Sequence, residues 1–534
     1  MSKERFVGVY TVLDLFAGAG GLSLGLEQTG RFATIVAVEN DVHAQNTFHL
    51  NHRNAVVLGD IRNVDFGSLT TEHGPIDVVV GGPPCQGFSN ANRQRNSLIS
   101  HNNVMVKRFV EAVTSLEPQA FIMENVGMLT SRTHRFYRQQ GEEIALHLRK
   151  ESILLYKGPI AGSVGNLLID AGRVKEHKAP AEIYRIVRLL LKDGRKRVNA
   201  EKNIRALRRL LVSSYKEPSS SKELDDLARQ LGSAIEVCAL NPMAMEQFRK
   251  PATAWVEVQR ALFLVTELRE HNIALEIQRT EKGVCANLES YSVIDYIEGR
   301  LGKMYRLKGG ILNAVDFGVP QYRERYVLVG IHVRSGRSAP NILPSPSQTR
   351  FTVRDAIQDL AFVPASRDVR ESPVAASDVP STSELMQELR DTPNIANHVT
   401  SASGEVALRR FRHIGAGQNF HDLERRLVRD TYARPERTQN SIYLRLSYDR
   451  PSKAVTNVRK SMWIHPELNR ALTIREAARL QTFPDSYVFA GTKDSQYQQV
   501  GNAVPPKLAR AVGQALIDCL ENMSSEEELT LWTI

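Results

Sequence analysis

From residue 8 to about 126 the chain alternates short apolar runs with amphipathic stretches. "GVYTVLDLF", "TIVAVE", "AVVLGD", "IDVVVGG" and "QAFIMEN" read as strands, and the intervening "GLSLGLEQTG", "DVHAQNTFHLNH" and "NNVMVKRFVEAVTSLEP" as helices or partial helices. Alternation at this spacing requires crossover connections, which predicts a parallel sheet of the doubly wound α/β class. Residues 127 to roughly 300 depart from it, because long stretches of helical period such as "PAEIYRIVRLLLKDGRKRVNAEKNIRALRRLL" and "WVEVQRALFLVTELREHNIALEIQR" take over. A Ser-rich hinge, "KEPSSSKE" at 216–223, divides this insertion into two helical parts. The sheet pattern resumes in "GILNAVDFGVPQYRERYVLVGIHV", 310–333, gives way to a less periodic region from 351 to about 455, and returns to clear helices over 470–522.

A chain of 534 residues exceeds the roughly 250–300 at which single cores divide, so at least two domains are expected. It contains no apolar run of the roughly 18 residues a membrane span needs, and its N-terminus lacks the apolar core of a signal peptide, which predicts a cytoplasmic protein. Cys85, Cys238, Cys285 and Cys519 show neither zinc-ligand spacing nor a disulfide framework, so reduced thiols and no metal site are expected. The formal charge is +10, and residues 127–300 hold 29 Lys+Arg against 22 Asp+Glu, which concentrates the basic excess in the insertion. Charge of this size favours a polyanionic partner, though ordinary solubility is equally compatible with it.

The strand ends carry the candidate chemistry. "DLFAGAGGLSLG", 14–25, falls where the first strand turns into a helix, and Gly18, Gly20 and Gly21 would let backbone approach a ligand closely. Ser23 stands where a dinucleotide fingerprint has its third glycine, and a tight strand-to-helix turn is the alternative reading. Glu39 ends the second apolar run, placed to accept hydrogen bonds from ribose hydroxyls, and Asp60 ends the third, where it could meet an adenine amino group. Each acid alone reads equally as a loop residue or helix cap; the set points to one crevice along successive strand tips. Cys85 in "GGPPCQGFSN" follows the fourth strand in a Pro/Gly-rich loop, as a nucleophile or as an inert surface thiol. Glu124 in "FIMENV" ends the fifth, as a proton donor beside that thiol or as a loop acid. Arg323 and Arg325 in "VPQYRERYVLVG" would share one face of a strand and could bind a carboxylate, phosphate or carbonyl, or could mark an exposed edge.

Together these stretches resemble, in order and content, the DNA (cytosine-5) methyltransferases of the bacterial restriction-modification type. "DLFAGAGG" is similar to that family's first cofactor motif, "PPCQGFS" to its nucleophile loop, "ENV" to its catalytic-glutamate motif and "QYRER" to its paired-arginine motif. "RALTIREAARLQTFPDSYVF", 470–489, and "QVGNAVPPKLARAVGQAL", 499–516, resemble the last two. The resemblance implies a Rossmann-like catalytic domain built from 1–126 and 305–333, a smaller DNA-recognition region at 334–455, and a segment, 456–534, whose C-terminal helix returns to the catalytic domain. It implies S-adenosylmethionine as methyl donor, held by Phe16, Ala17, Gly18, Gly20, Gly21, Leu22, Glu39, Asn40, Asp60, Ile61 and Pro84, with Asn502 and Val504 brought back to the same pocket. It implies attack of Cys85 on C6 of a cytosine flipped out of the duplex, with Glu124 at N3 and the exocyclic amine, Arg325 at O2, and Arg323 stabilising the neighbouring loop and phosphate. Ser89, Arg93 and Arg95 in "GFSNANRQRN" become candidate DNA contacts.

The chain departs from the family pattern in one respect: Glu124 and Arg323 stand 199 positions apart, where a few tens are usual. The insertion, 127–304, includes 185–209, where ten basic residues face only Asp193 and Glu201, and Arg195, Lys196 and Arg197 are its candidate phosphate contacts. It is expected to share target recognition or to clamp DNA; a partner-binding or fold-stabilising insertion is the alternative. The expected protein is a monomeric, nucleoid-associated enzyme acting on double-stranded DNA, with no membrane partner and with any cognate restriction endonuclease acting separately. A transfer-RNA cytosine methyltransferase and a catalytically idle DNA-binding scaffold are the competing readings.

Overall fold

The computed structural model describes residues 8–84, 102–127, 135–142, 148–193, 203–204, 206–208, 222–240, 245–335, 342–371, 373–376, 379–381, 383–424, 427 and 438–521. The chain forms two compact units, one of Met1–Ser89, Val104–Ser131 and Arg300–Ile534, the other of Asn90–Asn103 and Arg132–Gly299. Residues 334–455, expected to stand apart as a recognition region, belong to the first unit.

The first unit opens with β1 (Tyr10–Leu15), α1 (Gly21–Glu27), β2 (Phe32–Val38), α2 (Val42–Asn51), β3 (Val56–Leu58), α3 (Phe66–His73), β4 (Val78–Gly81), α4 (Asn102–Leu116) and β5 (Ala120–Val126). The second unit holds β6 (Arg135–Tyr137), β7 (Arg149–Tyr156), β8 (Leu275–Thr280) and β9 (Gly283–Ser292), after which β10 (Tyr305–Asn313) and β11 (Glu324–His332) return to the first. Seven strands make one sheet in the order β10-β11-β5-β4-β1-β2-β3. Strands β1 to β5 pair in parallel, and β11 runs antiparallel to both β5 and β10. Strand order reverses at β1, whose neighbours are β2 and β4, so a crevice opens at the carboxyl ends there. All four residues of β4 are buried, as an unbroken apolar run covered on both faces requires.

Val12, Val78, Val80, Ile122, Val327 and Val329 form one face of the core with Leu508, Val512 and Leu516 of the C-terminal helix Pro506–Glu521. That helix lies close on α1 because Gly25 offers no side chain. A methyl group there would collide with the Pro506 carbonyl oxygen and lie 2.5 Å from Ala509 Cβ. The penultimate motif packs as a buried charge network. Thr473 and Glu476 form a capping box at helix Ile474–Leu480, Arg470 donates to both Glu476 oxygens at 2.8 and 2.6 Å, and Arg479 bonds Asp485 and Asp359. Desolvation would push the Glu476 carboxyl up, and the Arg470 guanidinium outweighs it, holding the group well below the usual carboxylate range.

The second unit is not wholly helical. An antiparallel sheet in the order β6-β9-β7, with β8 on β9, packs against helices that include Ala181–Asp193, Lys222–Leu240 and Met245–Glu270. The expected long helix stops at Glu270, and "LEIQRT" beyond it is β8. The reason is a change of period: Ile153 and Leu155, Leu275 and Ile277, and Val284, Ala286 and Leu288 alternate, so each strand turns one face onto the core formed with Leu168, Val187, Ile235 and Val265. The Ser-rich hinge falls mainly on 216–221, outside the described residues. Among the described residues no helix is long and apolar enough to cross a membrane, and no cluster of His, Cys, Asp and Glu could hold a metal ion.

Gly25→Ala is expected to cost about 1–3 kcal/mol by overpacking. Thermal unfolding should register it as a fall of several degrees in Tm; an unchanged Tm would mean that the two helices separate without penalty.

Candidate active site

The glycine turn is held in a conformation that few residues tolerate. Phe16 leaves β1 with φ 60°, Gly18 and Gly20 have φ 55° and 82°, and left-handed backbone at a non-glycine residue costs about 1–2 kcal/mol. The turn is braced on one side by Glu39, whose Oε2 accepts the Gly18 N–H at 2.8 Å and whose Oε1 accepts the Asp41 N–H at 2.8 Å. The Ala17 N–H donates to the Val38 carbonyl at 3.1 Å, extending β1 along β2.

The three expected ligand glycines have different surroundings. Among the described residues, an added methyl at Gly18 would meet only the Phe16 carbonyl oxygen, at 4.0 Å, so the space above it is open there. One at Gly20 would lie 2.5 Å from His52 Nε2 and 2.7 Å from the Tyr487 hydroxyl, and one at Gly21 would collide with the Val504 carbonyl oxygen. Gly20 and Gly21 therefore admit close approach of protein, and Gly18 is the position that leaves room for a ligand. Leu22 is buried in the core behind the turn. Asn40 is exposed after β2, and Asp60, half-buried after β3, caps the short helix Ile61–Asn63 by accepting the Arg62 N–H at 3.0 Å. Its carboxyl, paired with the Arg62 guanidinium, is lowered to about 2. Ile61 is buried, and its carbonyl accepts from Arg108.

Pro84 is half-buried after β4. Cys85 follows it in the chain and, with Ser89, Arg93, Arg95, Arg195, Lys196 and Arg197, lies outside the described residues. The loop entering Cys85 is tied to β5, since Asn125 Nδ2 donates to the Pro83 carbonyl at 3.0 Å, and a methyl on Gly82 would lie 2.9 Å from Glu124 Oε2. Glu124 is two residues before the end of β5. Arg325 Nε on β11 approaches Glu124 Oε1 at 2.6 Å, with both side chains largely shielded at 16% and 13% exposure. Register places Val327 opposite Glu124 and Arg325 opposite Val126, so the pair is a diagonal contact on one sheet face.

Arg323 does not share that role. It precedes β11, is 2% exposed, and donates to the carbonyls of Val455 at 2.6 Å, Gly501 at 2.9 Å and Ala503 at 3.0 Å. The expected loop contact is present, made by Nη1 and Nη2 to backbone carbonyls, and it is the expected phosphate contact that burial of the side chain corrects. Burial pushes its pKa well down, Arg325 adds to that, and Glu124 opposes it. Arg323 thereby anchors "GNAVP", with Asn502 exposed and accepting from Gln498 at 2.7 Å, and Val504 against Gly21.

Two residues absent from the expected set support the site. Asn125 is the strand-end polar group beside Glu124. Asp14 is an acid inside the apolar run "VLDLF", a mismatch visible in the sequence. It is 1% exposed, accepts from the Ser23 hydroxyl at 2.6 Å, and burial pushes it up to about 7 although Ser23 and His52 oppose the rise. Ser23 is thus a partner for Asp14.

Comparison with known proteins identifies the family of the chain. The family model for the C-5 cytosine-specific DNA methylases matches residues 10–151 and 293–518. The type II methyltransferase M1.HphI of Haemophilus parahaemolyticus is 27% identical over 512 residues, covering 95% of this chain and 86% of that protein. M.DdeI, a type II methyltransferase of Desulfomicrobium norvegicum, is 26% identical over 537 residues, covering 96% and 90%. The crystal structure of a DNA modification methyltransferase encoded within an E. coli prophage superposes with TM-score 0.56 at 18% identity, covering 96% of this chain and all of that one, which shows the fold.

Asp14 fixes a pH dependence of stability. Its pKa is raised in the folded chain, so between about 4 and 7 the folded form holds a proton that the unfolded form has released, and stability falls as pH rises through that window. Asp14→Asn should remove the slope. The stability advantage of the variant, read from Tm across pH, should be smallest near pH 4, grow to pH 7 and stay level above, reaching about 4 kcal/mol at most. Parallel Tm curves for the two proteins would contradict the assignment.

Proposed function

The chain belongs to the C-5 cytosine-specific DNA methylases, and from that membership we propose that it methylates C5 of a cytosine flipped out of a specific double-stranded DNA sequence, through a covalent bond between Cys85 and C6. The observation that carries the reading is the Glu124–Arg325 pair, at the carboxyl edge beside the loop that leads into Cys85.

Cytosine C5 is a weak nucleophile. The Cys85 thiolate adding to C6 breaks the ring's aromaticity and puts electron density on C5. One edge of the base presents O2, N3 and the exocyclic amine in sequence. A guanidinium and a carboxyl side by side match that edge, with Arg325 donating to O2 and Glu124 giving a proton to N3 while accepting from the amine. Loss of the C5 proton to a base and expulsion of the thiolate then restore the ring. S-adenosylmethionine, when bound, supplies the electrophilic methyl group. The residues present fit it: Gly18 has open space among the described residues, Glu39 retains acceptor capacity at the tip of β2, Asp60 stands at the neighbouring tip in its pair with Arg62, and Phe16, Ala17, Asn40, Ile61, Pro84, Asn502 and Val504 complete the candidate set. Removing the base from the stack costs a few kcal/mol, which pocket contacts must offset.

We place the enzyme in the bacterial cytoplasm, as the modification enzyme of a restriction-modification system or as an orphan methylase. Ser89, Arg93 and Arg95 are the candidate contacts beyond the nucleophile. Arg195, Lys196 and Arg197 are those of the second unit, which we take to share target recognition or clamping.

Mapping 5-methylcytosine at base resolution in a plasmid carrying the gene tests the reading. Wild type should mark one sequence context, Cys85→Ser none, and Glu124→Gln should slow methylation about 10²–10⁴-fold. Undiminished methylation by the serine variant would sink the covalent mechanism. Replacing Arg195, Lys196 and Arg197 together by alanine should weaken DNA binding and flatten the plot of log K against log salt by about 3, for three phosphates no longer neutralised; an unaltered slope would remove them from the interface.

A further inference from the structure

The turn that carries Phe16 and Gly18 is supported from beneath by groups that the chemistry above does not use. The Tyr487 hydroxyl donates to the Ala19 carbonyl. His52, whose side chain is 1% exposed, sits at the C-terminal end of α2 with Nε2 3.1 Å from the Tyr487 oxygen and Nδ1 2.9 Å from Glu27 Oε2 at the end of α1. Stacking on Phe48 at 4.3 Å fixes the imidazole, and Phe483 and Phe489 enclose the Tyr487 ring at 4.9 and 5.6 Å. Glu27 is held in turn by the Thr34 N–H, donating to its Oε1 at 3.2 Å.

Counting hydrogens gives the chain a direction. The hydroxyl has one proton, and the Ala19 carbonyl can only accept, so that proton goes to Ala19 and the Tyr487 oxygen accepts from His52 Nε2. The other ring nitrogen, Nδ1, pairs with Glu27 Oε2. Gly20 marks how closely this assembly meets the turn, since a single methyl there would press on both His52 and Tyr487.

We propose that Tyr487, His52 and Glu27 form a hydrogen-bonded prop that fixes the Ala19–Gly20 backbone, making Tyr487 a positioning residue for the methyl donor. The turn contains three left-handed residues, of which Phe16, having a Cβ, sits in a conformation that a loop free to relax would leave. Glu39 holds it at Gly18 and the prop holds it at Ala19, so the face that meets the donor is set before the donor arrives. Order that would otherwise have to be gained on binding is built in by folding. The prop also explains a tyrosine of the penultimate motif, 468 positions from Ala19, with no place in the reaction itself.

This inference rests on the donor assigned above, and the experiment separates the two. S-adenosylhomocysteine binding to the full-length protein is measured by calorimetry, and KM for the donor, KM for DNA and kcat are measured for wild type, Tyr487→Phe and His52→Gln. Tyr487→Phe keeps the ring and loses the bond to Ala19. It should bind S-adenosylhomocysteine about five- to tenfold more weakly, as loss of one buried hydrogen bond predicts. KM for the donor should rise with it, while kcat at saturating donor and KM for DNA stay within about twofold of wild type. His52→Gln can still donate to Tyr487 and should fall between Tyr487→Phe and wild type. Unaltered binding by Tyr487→Phe would overturn the prop. So would a loss of kcat at unchanged affinity, or a uniform fall in every parameter together with Tm, which marks a merely structural role. A wild-type chain that bound no donor would overturn the donor assignment, and the prop with it.

Discussion

Burying the Arg323 guanidinium commits three distant stretches of chain to one geometry, because a cation taken out of water must be solvated by fixed dipoles instead. The dipoles are the carbonyls of Val455, Gly501 and Ala503. Gln321, two residues earlier, adds to the same junction by donating to the Leu480 carbonyl at 3.0 Å and accepting from the Val455 N–H at 2.8 Å. Moving any of these segments would strand a charge or a polar group without a partner, which is costlier than separating two apolar side chains. The paired-arginine motif therefore divides its labour. One arginine holds Val455, Gly501 and Ala503 against the start of β11, and the other, two residues on, meets Glu124.

The same division runs through the glycines. Gly21 and Gly25 have their missing side chains filled by the carbonyl oxygens of Val504 and Pro506, so the last described helix can dock on α1 and carry "GNAVP" to the turn. Gly501 is pressed against the Thr456 backbone, where a methyl would lie 2.5 Å from its carbonyl carbon. Gly18 alone among the first three glycines faces open space. The glycines of one motif thus differ in what surrounds them, Gly21 and Gly25 admitting close packing of protein on protein and Gly18 facing no such neighbour among the described residues.

The five parallel strands and their edge were legible because burial on both faces leaves continuous apolar runs, and a polar residue at the end of such a run is conspicuous. Glu39, Asp60 and Glu124 stood out as candidates that way, and Asp14 was available by the same signal, as an acid within a run. What escaped depends on tertiary neighbours. Spacing put Arg323 and Arg325 on a common face, yet β11 begins between them and Arg323 points into the junction with the C-terminal motif. In the insertion, helical period is strong through Glu270 and hides the short alternation of "LEIQRT", which forms a strand only because β9 offers it a partner. Ser23 looked like a defect in a nucleotide fingerprint. With Asp14 beneath it, the hydroxyl satisfies a buried acid that glycine would leave without that bond.

Sequence separation is a poor guide to this site for a reason the sheet makes explicit. Glu124 and Arg325 lie on β5 and β11, hydrogen-bonded neighbours whose register is set by seven backbone pairings, from Arg325 with Val126 to Ile331 with Ala120. The geometry of the pair is fixed by those bonds, whatever the length of chain between them. An insertion whose two ends return to adjacent strands adds a loop-closure cost that grows only slowly with its length. The unmatched stretch between the two family segments, 152–292, lies within the second compact unit, Arg132–Gly299 apart from its short N-terminal piece. A body with its own core can therefore be carried between Glu124 and Arg325 while the edge of the sheet keeps their spacing.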